Sequence, residues 1–229
     1  MARLARVVLP GVPHHVTQRG DGRQQTFFAD GDYALYRDLL AAACREAGVE
    51  AWAWCLMPNH VHLILVPQDA DGLRRALAPV HRAYAGAIHA RQRRTGHFWQ
   101  GRFGAVALDE AWLAAAVRYV LMNPVRARLV DRPGDWRWSS IHAHLNAEDG
   151  GAEDGLTLRE PIETRFPGLA GLLDADEADD AAHRLLRRAE TIGRPLGGPA
   201  FLARAQAILG RQVAPRKRGP KPKAPDGSE

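Results

Sequence analysis

Apolar residues along this chain change spacing several times, and each change predicts an element. In "VVLPGVPHHVTQRG" short apolar runs are broken by Pro10, Gly11 and Pro13, and His15 and Thr17 then flank Val16 in alternation, which predicts a strand ending at Gly20. "DGDYALYRDLLAAACREAG" switches to helical spacing, with an acidic start suited to capping, apolar Leu35, Leu39, Ala42 and Ala43, and Gly48 as a stop. "VEAWAWCLM" and "HVHLILVP" are strand-like runs separated by the turn residues Pro58 and Asn59, so they predict an antiparallel pair. Helical spacing returns from Gly72 to about Arg94, with Pro79 placed to bend or interrupt it. "GHFWQGRFGAVAL" goes back to strand composition, and Asp109 opens the helix "EAWLAAAVRYVLMN".

The resulting order is strand, helix, strand, strand, helix, strand, helix. A four-stranded antiparallel sheet of the ferredoxin-like α+β class satisfies it, with helices shielding one face and the other left for a ligand or a further element. After "DRPGDWRWSSIHAHL" the chain turns Gly-, Glu- and Asp-rich, and only weak helices follow, at "AGLLDADEADDAAHRLLRRAE" and "PAFLARAQAILGR". The expected organisation is a catalytic or binding domain over 1–146, an acidic loop with weak helices over 147–192, and a C-terminal helix with a basic tail over 193–229, the tail making contacts to DNA.

Charge sharpens that division. Residues 1–146 carry 18 Lys/Arg against 12 Asp/Glu, 147–190 carry 5 against 12, and 191–229 carry 8 against 2. The tail "APRKRGPKPKAP" holds every lysine of the chain, Lys217, Lys221 and Lys223, and is too polar to fold alone, a composition suited to holding phosphates. Cys44 and Cys55 form no CxxC pair, which argues against a zinc knuckle or a redox motif. The N-terminus lacks a signal-type apolar stretch and no run of eighteen apolar residues occurs, so a cytoplasmic, nucleoid-associated protein without a membrane partner is expected.

"MPNHVHLILVP" carries the candidate chemistry. On a strand, His60 and His62 point to the same face about 6–7 Å apart along the chain, while Val61, Leu63 and Leu65 face the other side. Two imidazoles do not fill a coordination sphere, and an alternating histidine pair is more often just a polar strand face. The chain contains its own control, because His142 and His144 in "IHAHL" are also two apart but lie in a helical stretch where such positions diverge. Tyr119 and Asn123 are four apart on a predicted helix and so share a face, although a tyrosine there can serve packing alone and Asn-Pro is also an ordinary turn signal. Tyr33, Tyr36 and Tyr84 have no amide side chain four residues on. His14 and His15 could line the face of the histidine pair, with a solvent-facing role the simpler expectation.

"MPNHVHLIL", "YAGAIHARQRRTGHFWQGRF", "VRYVLMNPVRARLV" and "DWRWSS" occur in order and resemble the successive motifs of the REP-associated tyrosine transposases, within the single-tyrosine histidine-hydrophobic-histidine superfamily. The resemblance covers residues 10–145, and "GRPLGGPAFLARAQAILGR" followed by "KRGPKPK" is similar to the C-terminal extension of that group. His89, where related sequences often have Asn, and the light pair Gly86 and Ala87 are departures from it. By position the resemblance implies His60, His62 and Asn123 as ligands of Mg²⁺ or Mn²⁺ and Tyr119 as nucleophile. It implies single-stranded, hairpin-containing DNA as partner, a monomer acting in cis, and strand nicking and rejoining through a 5′-phosphotyrosyl intermediate.

A divalent cation on the non-bridging phosphate oxygens suits that chemistry, and one phosphodiester is exchanged for another, so no nucleotide cofactor is needed. No Walker-type loop is present, in keeping with that. Candidate DNA contacts are Arg19, Arg102, Arg118, Arg216, Lys217 and Arg218, whereas Trp99, Trp136 and Trp138 are assigned to packing. The alternative is a hairpin-binding module of the same fold that does not cut. A zinc hydrolase is disfavoured because no H-E-x-x-H and no acidic general base accompany the histidines. The acidic stretch 147–190 is considered as a cover for the basic cleft.

Overall fold

The computed structural model describes residues 6–145, 154–174 and 180–213. Its elements are β1 (His14–Arg19), α1 (Asp30–Ala47), β2 (Val49–Met57), β3 (His60–Pro67), α2 (Gly72–Gln92), β4 (Gly104–Ala107), α3 (Glu110–Leu121), α4 (Asn123–Arg126), α5 (Ile141–Leu145), α6 (Glu160–Arg165), α7 (Leu169–Asp174), α8 (Asp180–Ile192) and α9 (Pro199–Leu209). The strands form one antiparallel sheet in the order β2-β3-β1-β4. This is the ferredoxin-like α+β arrangement that the element order predicts.

Local chemistry explains most boundaries. The Pro58 and Asn59 turn is held from outside, because the Asn59 carbonyl accepts from Gly20 N (2.9 Å) and the Pro58 carbonyl from Thr26 N (2.9 Å). At the start of α1, Asp32 Oδ2 reaches back to accept from the Phe28 and Ala29 amides, satisfying donors that the first helical turn leaves open. Asp109 does the same for α3 by accepting from Trp112 N (3.0 Å). Pro79 does not interrupt α2, which runs unbroken to Gln92. Leu73, Leu77, Val80, Tyr84 and Ile88 form one buried stripe on that helix, and their packing outweighs the single backbone bond that proline removes.

Strand alternation divides the core. Val61, Leu63 and Leu65 of β3 join Val16, Tyr36 and Tyr84 beneath α1 and α2. Ile64 and Val66, together with His62 on the same strand face, look toward α3, where Leu113, Ala116, Val117 and Val120 cover them. The further element on the second face is thus α3, extended by Ile162, Leu169, Leu173, Leu186 and Ala189 from the chain beyond residue 147. The hydrophilic average of that stretch conceals these apolar positions, because they recur only once or twice per turn.

Beyond α8 the chain returns to the sheet. Gly193 takes a left-handed conformation (φ 70°), and Leu196 then bridges Leu108 beside the end of β4, donating to the Ala107 carbonyl (2.9 Å) and accepting from Asp109 N (3.0 Å). "IHAHL" is the short helix α5, as its sequence predicts. His144 Nε2 pairs with the Trp52 carbonyl (2.9 Å) and His142 Nε2 with the Trp136 carbonyl (3.1 Å), so this histidine pair fastens loops to the sheet.

Candidate active site

The register of β1 against β3 builds the site. Thr17 lies opposite His62 and Arg19 opposite His60, so alternation puts His15, Thr17 and Arg19 on the face that carries the histidine pair. Neither His14 nor His15 is solvent-facing, contrary to expectation. His14 is fully buried on the opposite side, with Nδ1 against the Val12 carbonyl (2.7 Å) and Nε2 accepting from Leu9 N (3.1 Å). His15 lies beneath the candidate site, its Nε2 3.0 Å from His62 Nδ1 and its ring stacked at 5.2 Å on the His62 ring.

Tyr119 comes down onto this pair from α3. Its ring meets His62 edge-on at 5.2 Å and His15 at 5.3 Å, and His183 of α8 covers its other side at 4.5 Å. α3 ends at Leu121 and α4 begins at Asn123, the residue before a proline that cannot donate to the helical ladder. Asn123 therefore lines the same cleft as Tyr119, His60 and His62, a space of about 860 Å³. His60 Nδ1 is engaged by Asn59 Oδ1 (2.6 Å), an outer contact that fixes the ring.

Burial sets the protonation states. His60 and His15 are each pushed down to about 3, His60 mainly by desolvation and then by Arg19 and Arg187, His15 by desolvation alone. His62 is lowered well below the ordinary histidine range by desolvation, then by its histidine and arginine neighbours. All three are neutral near pH 7, the form that offers a lone pair to a cation. Tyr119 moves the other way: burial raises its pKa, and the charge of Glu190 and a hydrogen bond with Glu190 raise it further. Glu190, on α8, is itself pushed up to about 7 by burial, against the pull of Tyr119, Arg19 and Arg187.

Of the residues that the sequence singles out, His60, His62, Tyr119, Asn123, Arg19 and Arg102 meet in the cleft. Arg102 is exposed in the loop before β4 and is not a strand residue, because pairing of β4 begins only at Gly104. Arg118 does not line that cleft but a small adjoining pocket, together with Met122 and Leu186 and with Tyr119, Arg126 and His183, which border both spaces. A helical neighbour of Tyr119 is rotated by about 100° from it, so the two share the side pocket while only Tyr119 reaches the main cleft. Arg216, Lys217 and Arg218 lie outside the described residues. Trp99 packs as expected, donating to the His81 carbonyl (2.9 Å), and His89 sets its ring against Phe98 at 5.3 Å.

Sequence reasoning missed Arg23, Arg126, Arg187, His183 and Glu190, all of which line the cleft. Arg126 is seven residues from Tyr119, a helical repeat that could have marked it. His183, Arg187 and Glu190 share one face of α8 by spacing, but nothing local indicates that this face docks on the site.

Residues 11–123 match the family model described as transposase IS200 like. Among individual relatives, it is 25% identical over 142 residues to a Haemophilus influenzae protein provisionally named REP-associated tyrosine transposase, covering 56% of this chain and 81% of the relative. It is also 25% identical over 112 residues to the REP-associated tyrosine transposase of Escherichia coli, covering 48% of this chain and 65% of the relative. The solved structure of a REP-associated tyrosine transposase bound to a REP hairpin shares the fold at a TM-score of 0.53 and 21% identity, covering 69% of this chain and 92% of that one. No described helix is long and apolar enough to cross a membrane.

Proposed function

We propose that this transposase nicks and rejoins single-stranded, hairpin-bearing DNA, with Tyr119 as nucleophile and a divalent cation, Mg²⁺ or Mn²⁺, held by His60, His62 and Asn123. The observation that carries the reading is the edge-on packing of Tyr119 on His62 inside a cleft lined by Arg19, Arg23, Arg102, Arg126 and Arg187. Neutral imidazoles and an amide oxygen suit a divalent cation, and an adjacent buried carboxylate adds the negative charge that such an ion favours. When bound, the cation supplies charge neutralisation on the phosphate. The arginines hold the flanking phosphates and fix the strand relative to Tyr119. In the chemical step the Tyr119 oxygen gives up its phenol proton and bonds to phosphorus, the bond from phosphorus to the 3′-oxygen breaks, and the departing oxygen takes up one proton, the net equivalent of the one tyrosine lost, to become a 3′-hydroxyl. The 5′-phosphotyrosyl bond retains the phosphoester, so reverse attack by a 3′-hydroxyl restores DNA and frees the tyrosine. The cytoplasm, at the nucleoid, is the compartment in which a protein of this kind meets its DNA, and a monomer acting in cis accounts for a cleft that holds Tyr119 and the histidines of one chain.

The test is a denaturation-resistant adduct with labelled single-stranded hairpin oligonucleotides, formed with Mn²⁺, lost in EDTA and lost in Tyr119→Phe. A second reading, hairpin binding without cleavage, draws support from the burial of Tyr119, only 7% exposed beneath α8. Tight binding with no adduct across a diverse pool of hairpins would favour it.

A further inference from the structure

The strand register sets His15 diagonally across from His62, since His15 pairs with Ile64 and His62 with Thr17. Ring side chains span such a diagonal. The two rings stack at 5.2 Å with 17° between their planes, and His15 Nε2 stands 3.0 Å from His62 Nδ1. His15 is buried and does not line the cleft, so it can influence a cation or a DNA strand there only through His62. Its other nitrogen, Nδ1, faces Glu190 Oε1 at 3.7 Å, longer than a hydrogen bond, and neither atom has a hydrogen-bond partner among the described residues.

A neutral imidazole carries one proton, so one choice of tautomer fixes the next. His62 can offer Nε2 to a cation only when its proton sits on Nδ1. That N–H then donates to His15 Nε2, which can accept only when the His15 proton sits on Nδ1, the atom that faces Glu190. The reverse arrangement is wrong at both ends: it puts a bare His15 lone pair against a carboxylate and a proton on the His62 nitrogen that a cation needs. His60 is set the same way. Asn59 Nδ2 donates to the Arg23 carbonyl (3.0 Å), which turns Asn59 Oδ1 toward His60 to accept from its Nδ1 (2.6 Å) and leaves Nε2 free.

We infer that His15 and Glu190 are positioning residues for the cation site, a buried relay from carboxylate to imidazole to imidazole that holds His62 with its Nε2 lone pair open to the cleft. Carboxylates that orient a ligating histidine directly are common in metal sites; here a second histidine is interposed. The backbone admits the carboxylate closely. Gly104 of β4 lies beneath the end of α8, where a Cβ would come within 3.3 Å of the Glu190 carbonyl oxygen and 3.0 Å of Thr17 Oγ1. Glu190 lies outside the 11–123 stretch that the family model matches, so the far end of the relay belongs to the C-terminal part of the chain.

The inference rests on the reading of His60, His62 and Asn123 as cation ligands, and its test needs neither DNA nor cleavage. Full-length protein, stripped by chelation, is titrated with Mn²⁺, the free ion being read by electron paramagnetic resonance, and His62→Ala sets the level of a lost ligand. His15→Phe keeps a ring to stack but has no acceptor, and should weaken binding by about 10–100-fold, the usual effect of losing an outer-shell partner. His15→Gln loses the ring but keeps an amide oxygen to accept from His62 Nδ1, and should recover most of that loss. A packing role would rank these two variants the other way. Glu190→Gln, whose amide can donate as well as accept, should weaken binding less than His15→Phe does. Long-range proton–nitrogen NMR of metal-free protein with isotope-labelled histidine, in mildly alkaline buffer, should show Nδ1–H at both His15 and His62. Wild-type affinity in His15→Phe, unchanged affinity in Glu190→Gln, or Nε2–H at His62 in the wild type would each overturn the relay, and the cleft reading stands if His62→Ala still abolishes binding. Wild type that binds no Mn²⁺ would overturn both. Failure of the cleavage reading alone appears as the expected ranking of affinities without a Tyr119 adduct.

Discussion

The two faces of the sheet bury tyrosines in opposite ways. Under α1 and α2, Tyr36 pairs its hydroxyl with His81 Nε2 (3.0 Å), Tyr84 donates to the Thr26 carbonyl (2.8 Å), and both rings are fully enclosed by aromatic neighbours. Under α3 and α8, Tyr119 is nearly as buried but meets two neutral histidines and a carboxylate, and unpaired polar atoms remain beside it. Burial alone therefore does not distinguish Tyr119 from the tyrosines of the other face; the polar groups left around it do. Interior polar groups are normally satisfied, and the α1 and α2 face follows that rule closely.

The sharpest way to break this comparison is to remove one hydroxyl at a time. Tyr119→Phe should abolish the covalent DNA adduct while keeping the fold. Tyr36→Phe should keep the adduct and lower stability by about 1 kcal/mol through loss of one buried hydrogen bond, read by denaturant unfolding. Adduct loss in Tyr36→Phe at a temperature where it stays folded would undo the distinction.

Acid should act on both faces. His14 is pushed down to about 4 and His81, His15 and His60 to about 3, all chiefly by burial. Groups lowered on folding contribute stability that is present above the unfolded value near 6.5 and lost as pH falls toward 3–4. Glu190, raised to about 7, opposes them, contributing stability that is present below about 4.5 and lost as pH rises through 7. With the histidines in the majority, unfolding free energy should rise from pH 4 to 6.5, and it should rise more steeply in Glu190→Gln. A flat profile across that range would show that burial does not set these protonation states.

Smaller effects are expected at the rim. Arg126→Ala and Arg187→Ala should each weaken hairpin binding modestly and flatten the logarithmic salt dependence by about one phosphate contact, measured by fluorescence anisotropy over a salt series. The smallest is at α5, where His142→Ala should leave adduct yield within about twofold, since losing one partly exposed hydrogen bond is worth only ~1 kcal/mol of stability. A loss there matching His62→Ala would mean that the two histidine pairs are not distinguished by strand and helix geometry.

The elements that were legible in the sequence are those whose partners are near in the chain. The β2–β3 hairpin, the alternation that aligns His60 with His62, and the four-residue step from Tyr119 to Asn123 are all local, and periodicity exposes them. His15 could not be chosen over His14 from sequence, because the choice depends on the register of β1 against a strand some 45 residues away. Arg102 lines the cleft from the loop before β4 rather than from a strand, because pairing begins only at Gly104, and Arg118 lines an adjoining pocket instead of the cleft, two placements that local pattern does not specify. Glu190 was illegible altogether, since its role depends on how the face of α8 docks, and a weak amphipathic pattern carries no address.

That distance along the chain also has a meaning in time. The tyrosine and the helix that covers it are 71 residues apart, from 119 to 190. At about 5–20 residues per second of synthesis, several seconds separate their appearance, and amino-terminal portions fold first. For that interval the nascent sheet can present Tyr119 and its histidines without the carboxylate or His183 above them, so each new molecule passes through an open youth before its roof is built.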